Sequence, residues 1–233
     1  MQRRLLLAAL PSAAILCGRA AEARPHAIVA ELFTSQSCNS CPPADALLIE
    51  LVRDRPDVLA LSWHVTYWDR NGWKDRFSLP AATERQRRYA AQLRDGRYPG
   101  QVYTPQMVIQ GRRDAVGSER MAVLTALRQA PQAAAAEITL GLRENGAVVE
   151  VGPGAGSGAL WLVGFDPQHA TEIRSGENGG RRLAYGNVVR SVTALGAWQG
   201  AGLRQQVTRG AGERMAVLLQ GADGAILAAA SSG

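Results

Sequence analysis

The first half of the chain mixes short apolar runs with segments of helical periodicity. Residues 27–33 are mostly apolar, which predicts a buried strand. Between residues 44 and 52 the apolar side chains recur at intervals of three and four, which is typical of one face of an amphipathic helix. Because prolines are tolerated only in the first turn of a helix, we expect this helix to begin within residues 38–43 and to end before Pro56.

The same alternation continues to residue 130. Residues 58–63 are apolar and predict a second buried strand, and residues 79–93 predict a helix. The basic residues expected on the exposed face of that helix are Arg85, Arg87 and Arg88. A basic helix face of this kind is ordinarily exposed to solvent; the alternative is that it binds a partner. A strand over residues 106–109, a turn, and a helix capped by Ser118 complete this half.

From residue 131 onward, short apolar segments alternate with glycine-rich turns and no long helix is predicted. About eight strands of this kind predict an antiparallel sandwich-like or barrel-like domain. The predicted strands cover residues 137–142, 148–151, 160–165, 171–175, 187–195, 203–207, 215–220 and 226–230. Asn145 and Gly146 predict a hairpin turn between the first two. The glycine-rich loop at residues 176–182 is interpreted as folding against the site in the first half.

The N-terminal segment has the pattern of a secretory signal peptide. Arg3 and Arg4 form a positive start, residues 5–16 form an apolar stretch, and residues 21–23 form an A-x-A cleavage motif. We therefore predict that residues 1–23 are removed and that the mature protein is periplasmic or secreted. A short amphipathic or membrane-anchoring helix is the alternative.

Composition narrows the class of protein. The chain has 233 residues, of which 46% are hydrophobic and 20% are charged, so it is too apolar for a disordered protein. No later apolar run reaches the roughly 20 residues of a membrane span, so we expect no stable membrane insertion after cleavage. Removing residues 1–23 takes away three arginines and one glutamate and lowers the formal net charge from +6 to +4. Since no stretch alternates basic and aromatic residues, nucleic acid is not an expected partner.

Cleavage also changes the cysteine count, because Cys17 leaves and the mature chain keeps Cys38 and Cys41. A lone C-x-x-C pair in an oxidising compartment is expected to bond to itself. Unpaired N–H groups and the dipole stabilise a thiolate at a helix N-terminus, so Cys38 is predicted to be the exposed nucleophile and Cys41 the resolving thiol. We expect no cofactor beyond this redox-active disulfide, and a purely structural disulfide is the alternative.

An aromatic-rich segment follows the second strand. Residues 63–77 contain three of the five tryptophans and one of the three histidines. If the segment folds over the cysteine pair, His64 acts as acid or base for the thiols, and Asp69 and Asp75 orient its imidazole. Packing of the aromatic side chains in the core, with a hydrogen-bonded structural histidine, is the alternative.

Residues 27–130 resemble a thioredoxin-like domain in the order of their elements, with a layout closer to that of glutaredoxins than to that of thioredoxin itself. Thr104-Pro105 resembles the cis-proline loop that faces the cysteine pair in that superfamily. The resemblance implies that Pro105 shapes a substrate groove beside the disulfide. The side chains predicted to contact substrate are Tyr103, Thr104, Trp68 and Trp73.

Nearly the whole mature chain is also similar to a family of secreted bacterial proteins known as domain of unknown function 1223. The blocks that carry this similarity are residues 31–36, 38–45, 64–77, 103–106, 116–118, 176–178 and 187–189. Taken together, the strand pattern and the thioredoxin-like resemblance predict the fold class α/β, with a thioredoxin-like domain over residues 27–130 and an all-β antiparallel sandwich-like domain over residues 133–230.

Three functions compete on these observations. The first is an exported thiol-disulfide oxidoreductase that acts on a protein or small-molecule thiol or disulfide. The second is a Cu(I)-handling protein with Cys38, Cys41 and His64 as ligands, since soft thiolates and an imidazole suit that ion; zinc is disfavoured because four such ligands are lacking. The third is a non-catalytic binding module of the cell envelope.

Overall fold

The computed structural model describes residues 24–26, 28–93, 96–132 and 134–232 of the chain. The predicted signal peptide over residues 1–23 lies outside these residues and stays a prediction. Across the described part of the chain, no helix is both long and apolar enough to cross a membrane.

The first half folds in the predicted alternation of strands and helices. Its elements are β1 (Arg24–His26), β2 (Ile28–Thr34), α1 (Pro42–Asp54), β3 (Val58–His64), α2 (Pro80–Gln92), β4 (Gln106–Ile109), β5 (Arg113–Val116) and α3 (Arg120–Arg128). Prolines occupy the first turns of α1 and α2, where a missing N–H leaves no helical hydrogen bond unmade. Helix α3 begins after Glu119, so the prediction that Ser118 caps it is wrong by one residue.

The second half forms strands throughout. They are β6 (Ile138–Arg143), β7 (Gly146–Val151), β8 (Gly158–Glu172), β9 (Arg182–Trp198), β10 (Leu203–Thr208), β11 (Arg214–Gln220) and β12 (Ile226–Ser231). The hairpin expected at Asn145 is present between β6 and β7. Two strands predicted separately at residues 160–165 and 171–175 lie within or overlap the single 15-residue strand β8.

The predicted division into a thioredoxin-like α/β domain and a separate antiparallel sandwich is wrong. One nine-stranded sheet, in the order β1-β12-β11-β8-β9-β3-β2-β4-β5, runs through both halves, and with only three described helices the protein is mostly β. Two pairings join the halves: β3 pairs in parallel with β9 at Ser62 and Val188, and β1 pairs with β12. The edge that β3 would otherwise expose is therefore covered by a strand from the second half.

A second sheet of three strands, β10-β7-β6, completes the architecture. Its apolar side chains, among them Val149 and Val151, share one buried cluster with residues of β8, β11 and β12. The core under α2 extends from β2 and β3 across β8, β11 and β12, and the small sheet packs on the opposite face of these last three strands.

Strands β2 and β3 present alternate side chains to two different cores. Val29, Phe33 and Trp63 belong to the core under α2, whereas the even-numbered apolar residues of β2 pack under α1 and α3. The expectation that Arg85 is exposed on α2 is wrong, because its side chain is 2% exposed and forms an ion pair with Glu31 of β2. The face of α2 that was expected to be solvated therefore packs in part against the core.

Candidate functional site

Cys38 and Cys41 form a disulfide at the point where β2 leads into α1. Cys41 is the N-cap of α1, and its carbonyl accepts hydrogen bonds from the N–H groups of Ala44 and Asp45. Cys38 lies in the preceding turn and donates its N–H to the Ser35 carbonyl at 3.2 Å. The helix therefore begins within the predicted range, and Cys41 rather than Cys38 stands at its N-terminus.

The prediction that Cys38 is exposed is wrong, because both cysteines are 0% exposed. A glycine-rich segment of residues 175–181, here called the cap, covers them. Asn178 of the cap is fully buried and donates to the carbonyls of Gln36 and Cys38, each at 2.9 Å. The Glu177 carboxylate accepts the Asn39 N–H at 3.2 Å. The interpretation that this loop folds against the site in the first half is therefore confirmed.

The Thr104-Pro105 peptide bond is cis, as the resemblance implies. The Thr104 hydroxyl donates to Cys38 Sγ at 3.4 Å and accepts from Trp68 Nε1 at 2.7 Å. Thr104 and Trp68 are thus brought to the disulfide together. Tyr103, also predicted to contact substrate, instead donates its hydroxyl to Asp114 at 2.7 Å.

Trp73 supports the turn that precedes Cys38. Its indole N–H donates to Gln36 Oε1 at 2.9 Å, and its carbonyl accepts the Ser37 hydroxyl at 2.7 Å. The cap is tied to the same loop, since the Ser175 hydroxyl donates to the Gly72 carbonyl at 2.6 Å. The aromatic-rich segment therefore holds both the cysteine turn and its cover.

His64 ends β3 on the α1 face of the sheet and is fully buried. Its Nδ1 lies 2.6 Å from the Asp75 carboxylate, which also accepts the N–H groups of Gln36 and Phe77, each at 2.8 Å. Asp69 orients this carboxylate only indirectly, by accepting the Asp75 N–H at 3.1 Å. Of the two aspartates proposed to orient the imidazole, Asp75 is the one that does so.

A second carboxyl group, that of Asp45, is buried one helical turn beyond Cys41. Among the described residues, neither Asp45 oxygen has a hydrogen-bond partner, and the same holds for His64 Nε2 and the Tyr185 hydroxyl. The Thr34 hydroxyl lies near the Asp45 carboxyl without reaching hydrogen-bond geometry with it. Buried polar atoms are almost always paired in native proteins, so a carboxyl with both oxygens unpaired one helical turn from Cys41 is unusual.

Burial sets the protonation of these groups. Loss of hydration raises the pKa of the Asp45 carboxyl to about 7, and the nearby His64 imidazole opposes this only in part. For His64, burial lowers the pKa, but the attraction to Asp75, the hydrogen bond with it and the attraction to Asp45 together outweigh burial, so the net shift is upward. Burial also raises the pKa of Tyr185, which keeps its hydroxyl neutral. Asp45 is thus able to exchange a proton near neutral pH, one helical turn from Cys41.

Asp45, Tyr185 and Asn178 were not singled out from the sequence. Asp45 lies three residues before Leu48, on the apolar stripe of the predicted helix, and this is the signal that marks it as buried. Asn178 lies in the glycine-rich loop that is predicted to fold against the site, but no local pattern assigns its partner, and none marks Tyr185, because the groups they face lie more than 100 residues earlier in the chain. The described residues contain no group of three His, Cys, Asp or Glu side chains arranged to hold a metal ion.

These observations define a mostly β protein in which a buried Cys-x-x-Cys disulfide lies at the start of a helix, and that helix carries a buried acid near a buried imidazole. The chain belongs to the family described as protein of unknown function (DUF1223), whose model matches residues 29–220. A comparison with curated proteins gives no match.

Two solved structures are similar to this chain. The protein AGR_C_4864 from Agrobacterium tumefaciens is 28% identical, with a TM-score of 0.71, and the match covers 90% of this chain and 95% of that one. HBP35 of Porphyromonas gingivalis is 14% identical, with a TM-score of 0.52, and the match covers 88% of this chain and 74% of that one. At that identity the second likeness concerns the fold alone.

Proposed function

We propose that the protein is an exported thiol-disulfide oxidoreductase that reacts through Cys38 and Cys41. The observation that carries the proposal is the disulfide at the start of α1 with the unpartnered Asp45 carboxyl one turn beyond it. A purely structural disulfide has no need of a buried group that titrates near pH 7, and such a group is costly to retain. The predicted signal peptide is consistent with an oxidising compartment, where disulfides persist.

The exchange starts from the disulfide form. A substrate thiolate attacks Cys38 Sγ, forms a mixed disulfide with it, and breaks the Cys38–Cys41 bond, so Cys41 leaves as a thiolate. A second substrate thiolate then attacks the substrate sulfur of the mixed disulfide and releases Cys38. The substrate loses two electrons and becomes a disulfide, while the protein gains two and becomes a dithiol. The reverse sequence reduces a substrate disulfide with the same balance.

The surrounding side chains have distinct roles in this proposal. The Asp45 carboxyl supplies a proton to the departing Cys41 thiolate, or accepts one when Cys41 attacks. The Thr104 hydroxyl donates to Cys38 Sγ and stabilises the thiolate that forms there. Because Cys38 is fully buried, the cap must move away before a substrate reaches it.

The test is the reduction potential of the Cys38–Cys41 pair in glutathione buffers, together with trapping of the mixed disulfide. We expect a potential between about −270 and −120 mV, the range of exchange proteins. We also expect Cys41→Ser to accumulate a mixed disulfide through Cys38, visible by mass spectrometry, and the matched Cys38→Ser to accumulate much less. A potential below about −300 mV with no trapped species would identify a structural disulfide and would favour the binding-module alternative.

A further inference from the structure

A basic groove opens beside the cap. Its volume is about 680 Å³, which accommodates several residues of an extended peptide. The residues that line it are Trp73, Lys74, Arg76, Ala170, Thr171, Glu172, Arg174 and Arg182. Four of these eight side chains are cationic and exposed, and one is acidic.

The cations of the groove are not neutralised by the protein. Within the described ranges, no carboxylate lies within 4 Å of the charged nitrogens of Lys74, Arg76, Arg174 or Arg182. Glu172 stands opposite Arg182 in the β8–β9 ladder but does not reach that distance. Concave surfaces lined by one sign of charge concentrate ligands of the opposite sign.

The groove shares a wall with the cysteine turn. Trp73 lines the groove and donates to the Gln36 side-chain oxygen, and the Gln36 side-chain nitrogen donates at 3.2 Å to Thr171, which also lines the groove. Gln36 is two residues before Cys38. Arg174 and Arg182 also flank the cap, so a ligand in the groove contacts both ends of the segment that covers the disulfide.

We propose that this groove binds carboxylates of an acidic polypeptide segment that belongs to the disulfide or dithiol substrate. Four separated cations match several carboxylates along a chain better than a single small anion. The proposal rests on the proposed function for the identity of the ligand, since the bound segment places substrate sulfur beside Cys38 and engages the cap. The groove itself is testable without any redox step.

Binding is measured first, by fluorescence anisotropy of a labelled, cysteine-free peptide rich in glutamate and of its glutamine counterpart. The oxidised protein should bind the glutamate peptide more tightly, with an affinity that falls as salt rises. The triple variant Lys74→Gln, Arg174→Gln, Arg182→Gln should bind about tenfold more weakly at low salt, since each exposed ion pair contributes a few-fold. Arg174→Gln alone should give an intermediate loss, which guards against misfolding of the triple variant.

The matched control removes the same charge elsewhere, through Arg128→Gln, Arg143→Gln and Arg209→Gln on exposed sites of α3 and the second half. It should retain most of the affinity. Equal losses in the two triple variants would show that net charge alone attracts the peptide, and that result would overturn the proposal. Equal binding of the glutamate and glutamine peptides would overturn it as well.

Disulfide exchange then links the groove to the site. Cysteine-bearing versions of the two peptides should react with the oxidised protein at rates that differ about tenfold, and the groove variant should abolish the difference. If both peptides react at equal rates, the proposed function stands and the groove fails as a substrate site. If neither reacts while the binding preference persists, the oxidoreductase proposal fails and the acidic-peptide groove stands as a binding site.

Discussion

Two polar clusters are buried on opposite faces of β2 and β3, and they differ in how completely their groups are paired. On the α2 face, the Arg85 guanidinium donates to both oxygens of Glu31, to the Tyr89 hydroxyl and to Gln220 Oε1. Tyr89 in turn donates to Glu31, and the guanidinium lies over the Trp63 ring, 5.1 Å from its centroid. This cluster is an ion pair with partners for both charges.

On the α1 face, Asp75 is fully hydrogen-bonded, but the groups beyond it are not. His64 Nε2, the Tyr185 hydroxyl and both oxygens of Asp45 are buried without partners among the described residues. The two clusters thus lie on the same strands at similar depth. A matched ionic network serves to fix α2 on the sheet, whereas unmatched groups next to a disulfide are better explained by chemistry than by stability.

The largest expected effect tests the structural side of this comparison. Arg85→Met leaves the Glu31 carboxylate buried without its partner, so we expect a loss of about 3–5 kcal/mol in the free energy of unfolding, measured by urea denaturation. The double variant Arg85→Met, Glu31→Leu removes both charges and should recover much of that loss. An equally large loss in the double variant would mean that packing, rather than charge matching, holds α2.

For Asp45, removal of the charge is expected to raise the free energy of unfolding rather than lower it. Its raised pKa means that the folded state binds the carboxyl proton more tightly than the unfolded state does, so stability falls as the pH rises from 3.8 to about 7. Asp45→Asn should abolish this fall and stabilise the protein above pH 7 by as much as about 4 kcal/mol.

Thermal unfolding of wild type and Asp45→Asn across this pH range checks the prediction. His64 is retained in the variant, and its raised pKa contributes stability that is present below about 6.5 and lost at higher pH. Any dependence that remains above about 6.5 is therefore assigned to His64. A variant less stable than wild type at pH 8 would show that the Asp45 carboxylate has a partner that stabilises its charge.

Much of this arrangement follows from local sequence patterns. Proline positions and apolar periodicity place α1 and α2, and the C-x-x-C spacing, Thr104-Pro105 and His64 identify most of the site from the amino-acid sequence alone. These features depend on residues close together in the chain.

The remainder depends on contacts between distant segments. The parallel pairing of β3 with β9 joins residues 126 positions apart, and no local pattern specifies that register. The hydrogen bonds from Asn178 to the carbonyls of Gln36 and Cys38 likewise join segments 142 and 140 positions apart. The role of Asp45 is missed for another reason: an acidic residue in the first turn of a helix is ordinarily explained by its favourable interaction with the helix dipole.

A substitution in the cap is expected to change both the free energy of unfolding and the accessibility of the disulfide, and the two effects are measured separately. Asn178→Ala removes two hydrogen bonds to buried carbonyls and should lower the free energy of unfolding by about 1–3 kcal/mol. It should also raise the rate at which dithiothreitol reduces the disulfide, because Cys38 becomes accessible. Val149→Ala in the second sheet is the control, since it lowers global stability without touching the cap. Equal acceleration in both variants would indicate that reduction proceeds through global unfolding.

The smallest expected effect concerns the Thr104 hydroxyl, which donates to Cys38 Sγ. Thr104→Val keeps the side-chain shape but removes the donor to Cys38 Sγ and the acceptor for Trp68 Nε1. Since that donor favours the thiolate over the thiol, the Cys38 pKa in the reduced protein should rise by up to about one unit, or about 1.4 kcal/mol. Titration of thiolate absorbance measures it, with the exposed Thr193→Val of β9 as the control. An unchanged Cys38 pKa would leave Thr104 with a packing role and would place thiolate stabilisation on the backbone N–H groups at the start of α1.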